Sequence, residues 1–124
     1  MATVPDDGLE ILAKQLCGVT TDPVTEMATG SSSTAESTSD QQLGSENSGN
    51  GSDRATCDAI TYEATGVSKW VHQFNFTGSV TVREIALFDS AGNLFMRHVL
   101  AADKAYVSGE SLEITLTNTV QRTS

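Results

Sequence analysis

Basic residues are scarce in this chain. Seven Lys and Arg stand against 16 Asp and Glu in 124 residues, a formal net charge of −9. So little positive charge cannot displace the counterions of a phosphate backbone, which excludes nucleic-acid binding through a basic face. Long apolar runs are missing as well. None approaches the ~20 residues that cross a bilayer, and no positively charged start leads into an apolar stretch, so neither a membrane partner nor a secretory signal is expected. Two cysteines, Cys17 and Cys57, cannot build a disulfide-dense scaffold, and a pair of small buried thiols fits better than one bridge.

The groups that chemistry needs are equally thin. No Cys-x-x-Cys or His-x-x-x-His occurs, and His72 and His98 fall in separate segments, so no zinc site is expected. Nucleophilic catalysis needs a base beside the nucleophile and donors for an oxyanion, and there is no Gly-x-Ser-x-Gly elbow. Gly44, Gly49 and Gly51 lack the spacing and the Lys of a phosphate loop. Asp40, Glu46 and Asp53 lack the alternation of a calcium-binding loop. No catalytic residue, cofactor or metal ligand is assigned, and the chain does not read as an enzyme. Asn50-Gly51-Ser52 and Asn75-Phe76-Thr77 match the glycosylation acceptor pattern, which a Ser/Thr-rich chain produces by chance.

What the chain does have is polarity spread evenly: 14 Ser, 16 Thr and carboxylates along its whole length. A dispersed acidic surface keeps molecules apart by self-repulsion and tolerates salt, which suits a halophilic source or simply a soluble protein of low pI. The length suits a single domain. Residues Pro5 to Gly18 carry the clearest helix, with Leu9, Leu12, Ala13 and Leu16 at i, i+3, i+4, i+7. Asp7 is placed to cap it, Glu10 to complete a capping box, and Gly18 to end it. A helix this short must dock on its own sheet or on a neighbouring subunit.

Between Thr29 and Asp53 only Ala35 and Leu43 are apolar, and no residue is basic. Such a stretch buries too little to offset its ordering entropy and reads as a mobile loop. A short helical turn at Ser39–Leu43 and Leu43 as the one anchor to the core are its expected features. From Ala55 onward strands are expected at Thr56–Ala64, around Trp70–Thr77, at Val80–Phe88, Leu94–Leu100 and Ser111–Val120. Asp89 to Asn93 forms a Gly-containing hairpin connection. Trp70, His72, Phe74 and Phe76 share one face of their strand, while Leu112, Ile114, Leu116 and Val120 line one side of the last. The sum is a mostly β chain: a small antiparallel β-sandwich with an N-terminal α-helix and a long polar loop. Residues 1–18 form the helical docking element, and 19–124 the sandwich, with the acidic loop at 29–53. The aromatic group of Trp70, Phe74, Phe76, Phe88 and Phe95 reads as core or subunit interface rather than ligand pocket. Leu9, Leu12, Leu16, Trp70, Phe74 and Phe76 are the interface candidates.

The run Val82-Arg83-Glu84-Ile85-Ala86-Leu87-Phe88-Asp89-Ser90-Ala91-Gly92-Asn93-Leu94-Phe95-Met96-Arg97 resembles a hairpin of structural proteins of tailed viruses. There it reads roughly Thr-Glu-Ile-Gly-Leu-Phe-Asp-x-x-Gly, a short apolar stretch, then Arg. Val24 to Thr34 is similar to that family's Leu-Gly-x-Gly segment, Asp40-Gln41-Gln42-Leu43-Gly44-Ser45-Glu46 to its Asp-x-x-Leu-x-x-Glu, and Ser108 to Leu116 to its final strand. The likeness runs in order over about residues 20 to 121. Ala86 departs from the usual Gly, and the segment before Ala55 is longer and more polar. The resemblance implies a virion structural protein that assembles rather than reacts, with the capsid surface preferred over the tail. It would be a head decoration or turret protein forming a homo-oligomer on the major capsid protein, in a virus of a halophilic archaeal host. A small tail, baseplate or fibre-associated protein is the alternative in the same class. A glycan-binding β-sandwich module on the virion, stacking sugars on Trp70 or Tyr62, is the alternative from another.

Overall fold

A computed structural model describes residues 3–20 and 22–120; the outermost ends of the two expected regions, 1–2 and 121–124, and Thr21 lie outside the described residues. The element order is one helix, α1 (Asp6–Leu16), then β1 (Val24–Gly30), β2 (Ala55–Thr56), β3 (Ala59–Ala64), β4 (Val67–Asn75), β5 (Val80–Asp89), β6 (Leu94–Tyr106) and β7 (Ser111–Thr119). Two antiparallel sheets result, a four-stranded one in the order β2-β1-β5-β6 and a three-stranded one in the order β3-β4-β7. The mostly β, sandwich-like architecture expected from the alternation is what the chain adopts.

The sheets are held by side chains that strand period places on their facing sides. Trp70, Phe74 and Ile114 from one sheet meet Met27, Leu87 and Phe95 from the other in a single core cluster. Trp70 and Phe95 ring centroids are 6.0 Å apart, and the Trp70 indole N–H donates to the Val24 carbonyl at 2.7 Å, so the one polar atom of that ring is satisfied. Phe76 stacks on Tyr106 with centroids 4.8 Å apart.

β5 explains why so many of its residues can be apolar. Its core positions are Val80 and Val82, then Ile85 and Leu87. This change of parity coincides with a register shift between Val82 and Glu84, as a β-bulge produces. Arg83 serves the irregularity, donating through Nε to the Leu100 carbonyl at 2.8 Å and through Nη1 to Asp103 at 3.2 Å. Beyond the bulge Glu84, Ala86 and Phe88 turn to the opposite face of the sheet. There Ala28, Leu43, Ala86, Phe88 and Leu94 form a second, smaller apolar cluster.

α1 lies on β6, though not by the face that its leucines suggest. Gly8 and Ile11 are its buried residues, while Leu9 and Leu16 are exposed. The reason is steric. A Cβ on Gly8 would collide with the carbonyl oxygen of Phe95, so the helix approaches the strand backbone along its Gly8 line and sends Ile11 into the core. The expected cap is also absent: Pro5 holds the N-cap position with no side-chain bond, and the Asp6 N–H is taken by the Thr38 carbonyl at 2.8 Å. Glu10 instead pairs with Lys14 at 2.9 Å. At the other end Gly18 has φ 73°, and Val19 N–H reaches the Lys14 carbonyl at 2.8 Å, the six-to-one closure of a Schellman turn.

Candidate functional site

The polar segment after β1 is ordered. Gly30 and Glu46 form an isolated antiparallel bridge, with Ser31 N–H donating to the Ser45 carbonyl at 2.9 Å and Asn47 N–H to that of Thr29 at 2.8 Å. The chain between them is thus an Ω-type loop with a closed neck. Leu43 fills its interior, buried on Ala28, Ala86, Phe88 and Leu94. The anchor role expected of Leu43 is correct, and the mobility expected of the loop is not. The expected helical turn at Ser39–Leu43 is replaced by a turn that starts two residues earlier, where Asp40 N–H donates to the Ser37 carbonyl at 3.2 Å.

Composition argued for mobility because the loop has too little apolar surface of its own. Two charged side chains of the neighbouring hairpin make up the deficit. Glu84, fully buried, accepts from Gly44 N–H at 2.9 Å through Oε1, and from Ser45 N–H at 2.8 Å and Ser32 N–H at 3.1 Å through Oε2. Arg97 Nε donates to the same Oε1 at 2.9 Å. The Arg97 guanidinium then reaches the other limb of the loop. Nη2 donates to the Thr34 carbonyl at 2.8 Å, and Nη1 to the Ala35 carbonyl at 3.3 Å and to Asp40 Oδ2 at 3.1 Å. A buried ion pair is costly unless its remaining lone pairs and protons are satisfied. Here the loop backbone satisfies them, so pair and loop need each other. The pair is a staple.

The outer margin of the loop is closed by Arg54. Its guanidinium carbon lies 3.6 Å from the Phe88 ring centroid, and it grips Glu46 with Nη2–Oε1 at 2.6 Å and Nε–Oε2 at 3.2 Å. The adjoining hairpin turn is fixed by Asp89, whose Oδ1 accepts from Ala91 and Asn93 N–H at 3.0 and 2.8 Å, and whose Oδ2 accepts from Asn93 Nδ2 at 3.0 Å. The carboxylates considered for calcium are therefore each committed elsewhere: Asp40 to Arg97, Glu46 to Arg54, and Asp53 to the Gly49 N–H at 2.6 Å. Among the described residues no group of His, Cys, Asp and Glu is arranged to hold a metal. In the Asn50 acceptor pattern Asn50 itself is exposed, its Nδ2 donating to the Ser79 carbonyl at 3.2 Å, while the buried Ser52 hydroxyl donates to the carbonyl of Gly49 at 2.6 Å.

Two hollows flank these elements. One of about 440 Å³ opens over the loop between Ser32, Asp40, Gln42 and Arg97. The other, about 250 Å³, lies between α1 and the hairpin turn, beside Glu10, Lys14, Asp89 and Asn93. Neither is lined by a His or a Cys, and Arg97 and Asp89 spend their polar atoms on the fold. His72 packs edge-on against Phe74 with centroids 4.5 Å apart; its Nδ1 lies 3.2 Å from Asp58 Oδ1 without the alignment of a hydrogen bond. Cys57 is buried as expected, Cys17 is exposed, and both are free thiols. Burial pushes the Cys57 thiol up from 9.0 to about 11.

Of the interface candidates, Trp70, Phe74 and Phe76 are consumed by the chain's own core, which resolves their core-or-interface alternative toward core and removes Trp70 as a sugar platform. Leu12 is partly buried against that core. Leu9 and Leu16 stand out from α1 at 57% and 89% exposure, and Val19 follows at 69%. A second apolar group lies on β3, an outer strand of its sheet, where Ile60 and Tyr62 are 44% and 75% exposed. Glu84 and Arg97 were not among the candidates. Their signal is charge set in an otherwise apolar run: Glu84, beside Arg83, in Val82-Arg83-Glu84-Ile85-Ala86-Leu87, and Arg97 at the end of Leu94-Phe95-Met96-Arg97. Compared with family models, with curated proteins and with solved structures, the chain matches none.

Proposed function

We propose that this chain is a structural component of a tailed-virus particle, a head decoration or turret protein that assembles as a homo-oligomer on the major capsid protein. The observation that carries the reading is where the resembling residues fall. Glu84 and Arg97 of the hairpin meet Asp40 and Leu43 of the preceding segment in the stapled loop on its sheet, and Asp89 and Gly92 shape the turn of the same hairpin. A likeness scattered by chance would not pick out the residues that hold one another in place. These residues spend their polar groups on architecture, which suits a protein whose work is to present surfaces. The apolar side chains left outside, Leu16 on α1 and Tyr62 on β3 among them, are surfaces it presents. Repetition of such contacts over many copies adds stability to a shell by association, and the dispersed negative charge suits a halophilic archaeal host.

The test is to mix purified protein with capsids lacking it. Saturable binding at a stoichiometry matching capsid symmetry is expected. Binding to isolated tails alone moves the protein to the tail or baseplate, and binding to neither overturns the reading. The exposed Tyr62 ring leaves one competing use: a glycan-array signal lost in Tyr62→Ala would assign the protein to sugar recognition instead.

A further inference from the structure

We infer that the free edge of β3 is a seam for a second copy of this chain, added antiparallel about a two-fold axis at Thr61. The two copies then share one six-stranded sheet, β7-β4-β3-β3-β4-β7. This rests on the assembly reading above and deepens it by naming one partner and the edge it uses. β3 is an outer strand, and among the described residues β4 is its only strand partner. All six of its residues are exposed. One row of its backbone N–H and C=O groups is therefore open, and what satisfies such a row is another strand.

Its side chains favour the same partner. Ile60 lies opposite Trp70 and Tyr62 opposite Ser68, and residues opposite one another share a face of the sheet. Trp70 belongs to the core, so Ile60 and Tyr62 point to the inward side, yet both are exposed. The other sheet ends on this side with β2, two residues long and joined to β3 by Cys57 and Asp58 alone, and it stops short of covering them. The devices that keep edges apart are weak here. β3 has no proline, its one charge, Glu63, is held by Lys69 at 3.0 Å, and its register shift lies past Tyr62, at the strand's end.

Register selects the occupant. A two-fold axis normal to the sheet pairs residues of like parity, because side chains alternate between faces. Near the strand centre it therefore passes through Ile60, Thr61 or Tyr62. On Ile60 it sets Tyr62 against Asp58 of the second copy, and on Tyr62 it sets Ile60 against Ala64. On Thr61 it sets Ile60 against Tyr62 twice, a β-branched side chain on an aromatic one, with Thr61 against Thr61 on the other face. Glu63 and Asp58 then fall opposite Ala59 and Ala64, so no carboxylate meets another. The other outer strand of this sheet, β7, is a poorer partner. Its Leu112, Ile114 and Leu116 pack on the chain's own core, and a β3-to-β7 contact would run on as a filament instead of closing. A seam this short buries less than the ~800 Å² per partner of a standard interface, so the pair is weak. Each copy carries a net charge of −9, so the pair strengthens as salt screens their repulsion.

Sedimentation velocity of the full chain over a wide concentration range, at low salt and at about 1 M salt, tests this. The wild type should pass from monomer to dimer as concentration rises, and at lower concentration in high salt. Tyr62→Lys should weaken the dimer at least tenfold with an unchanged circular-dichroism spectrum, because Tyr62 is outside the core. Thr61→Cys in a Cys17→Ser background should form a disulfide-linked dimer on mild oxidation. Residues opposite each other in an antiparallel pair have Cα atoms about 4.5–5.5 Å apart, within the ~4.4–6.8 Å that a disulfide spans. Thr117→Cys on β7, in the same background, should stay unlinked. A chain that is monomeric at every concentration, a dimer indifferent to Tyr62→Lys, no linkage through Thr61→Cys, linkage through Thr117→Cys, or species that grow past the dimer would each overturn the seam. Capsid binding is measured separately with wild type and with Tyr62→Lys; failure of both to bind overturns the assembly reading whatever the dimer does, so the two fail separately.

Discussion

Replacing Glu84 by Gln changes one atom and should release the loop. The carboxylate presents two acceptor oxygens, each facing two donors: Gly44 N–H and Arg97 Nε on Oε1, Ser32 and Ser45 N–H on Oε2. An amide of the same shape has one acceptor oxygen and one NH₂ group. Whichever way it turns, two of the donors that now bond the buried carboxylate face two amide hydrogens. Each stranded donor costs about 1–3 kcal/mol, so the expected loss is about 2–6 kcal/mol, in line with the ~3–5 kcal/mol of breaking a buried pair on one side. Against a total stability of about 5–15 kcal/mol, that lowers the melting temperature on the order of 10–20 °C.

The control is the double replacement of Glu84 and Arg97 by Met. If the two residues were only an ion pair, matched apolar replacement would be neutral or stabilising. Here it leaves the Ser32, Gly44 and Ser45 amides and the Thr34 and Ala35 carbonyls without partners, so the double variant should stay at least ~2 kcal/mol below wild type. Urea denaturation reads both numbers, and amide hydrogen exchange at Gly44 and Ser45 shows whether the loop opens before the sheets. A Glu84→Gln protein within about 1 kcal/mol of wild type, or a double variant as stable as wild type, would refute the staple.

Other consequences are simpler to measure. Cys17 should react with a maleimide in the native state, and Cys57 only on unfolding; labelling of Cys57 at the rate of Cys17 would contradict its burial. With the Cys57 thiol raised to about 11, the unfolded chain releases that proton first. This contribution to stability is therefore whole below pH ~9 and fades as pH rises from there to about 11; Cys57→Ala should flatten that part of the pH profile. Trp70→Phe leaves the Val24 carbonyl without its donor and should cost about 1–3 kcal/mol by urea denaturation. Gly30→Ala drives a Cβ into the Glu84 carboxylate and to 2.6 Å from the Ser45 carbonyl oxygen, so thermal unfolding should show a loss comparable to Glu84→Gln.

β7 and the Trp70–Asn75 part of β4 were legible because period-2 alternation is a direct image of a sheet with one buried face, whereas Val67–Lys69 of β4 and Ala101–Tyr106 of β6 extend beyond the expected strands. β1 was not. Val24-Thr25-Glu26-Met27-Ala28-Thr29-Gly30 has no aromatic residue and no apolar alternation, and it is a strand because β5 lies along it with Met27 opposite Leu87, a non-local fact that no local propensity encodes. α1 was legible as a helix, but its docking face was not. Counting leucines chose Leu9, Leu12 and Leu16, of which only Leu12 packs on the core, whereas the strand backbone selected the one line along which a glycine lets it come close. The loop shows the deepest limit. Composition weighs what a segment can bury for itself, and by that measure 29–53 should move. Order came instead from Glu84 and Arg97, far along the chain, whose own burial is tolerable only because the loop's backbone surrounds them. Neither half of that arrangement is favourable alone, so neither half of the sequence announces it. A charged residue buried among apolar strand neighbours, as Glu84 and Arg97 are, is the trace it leaves.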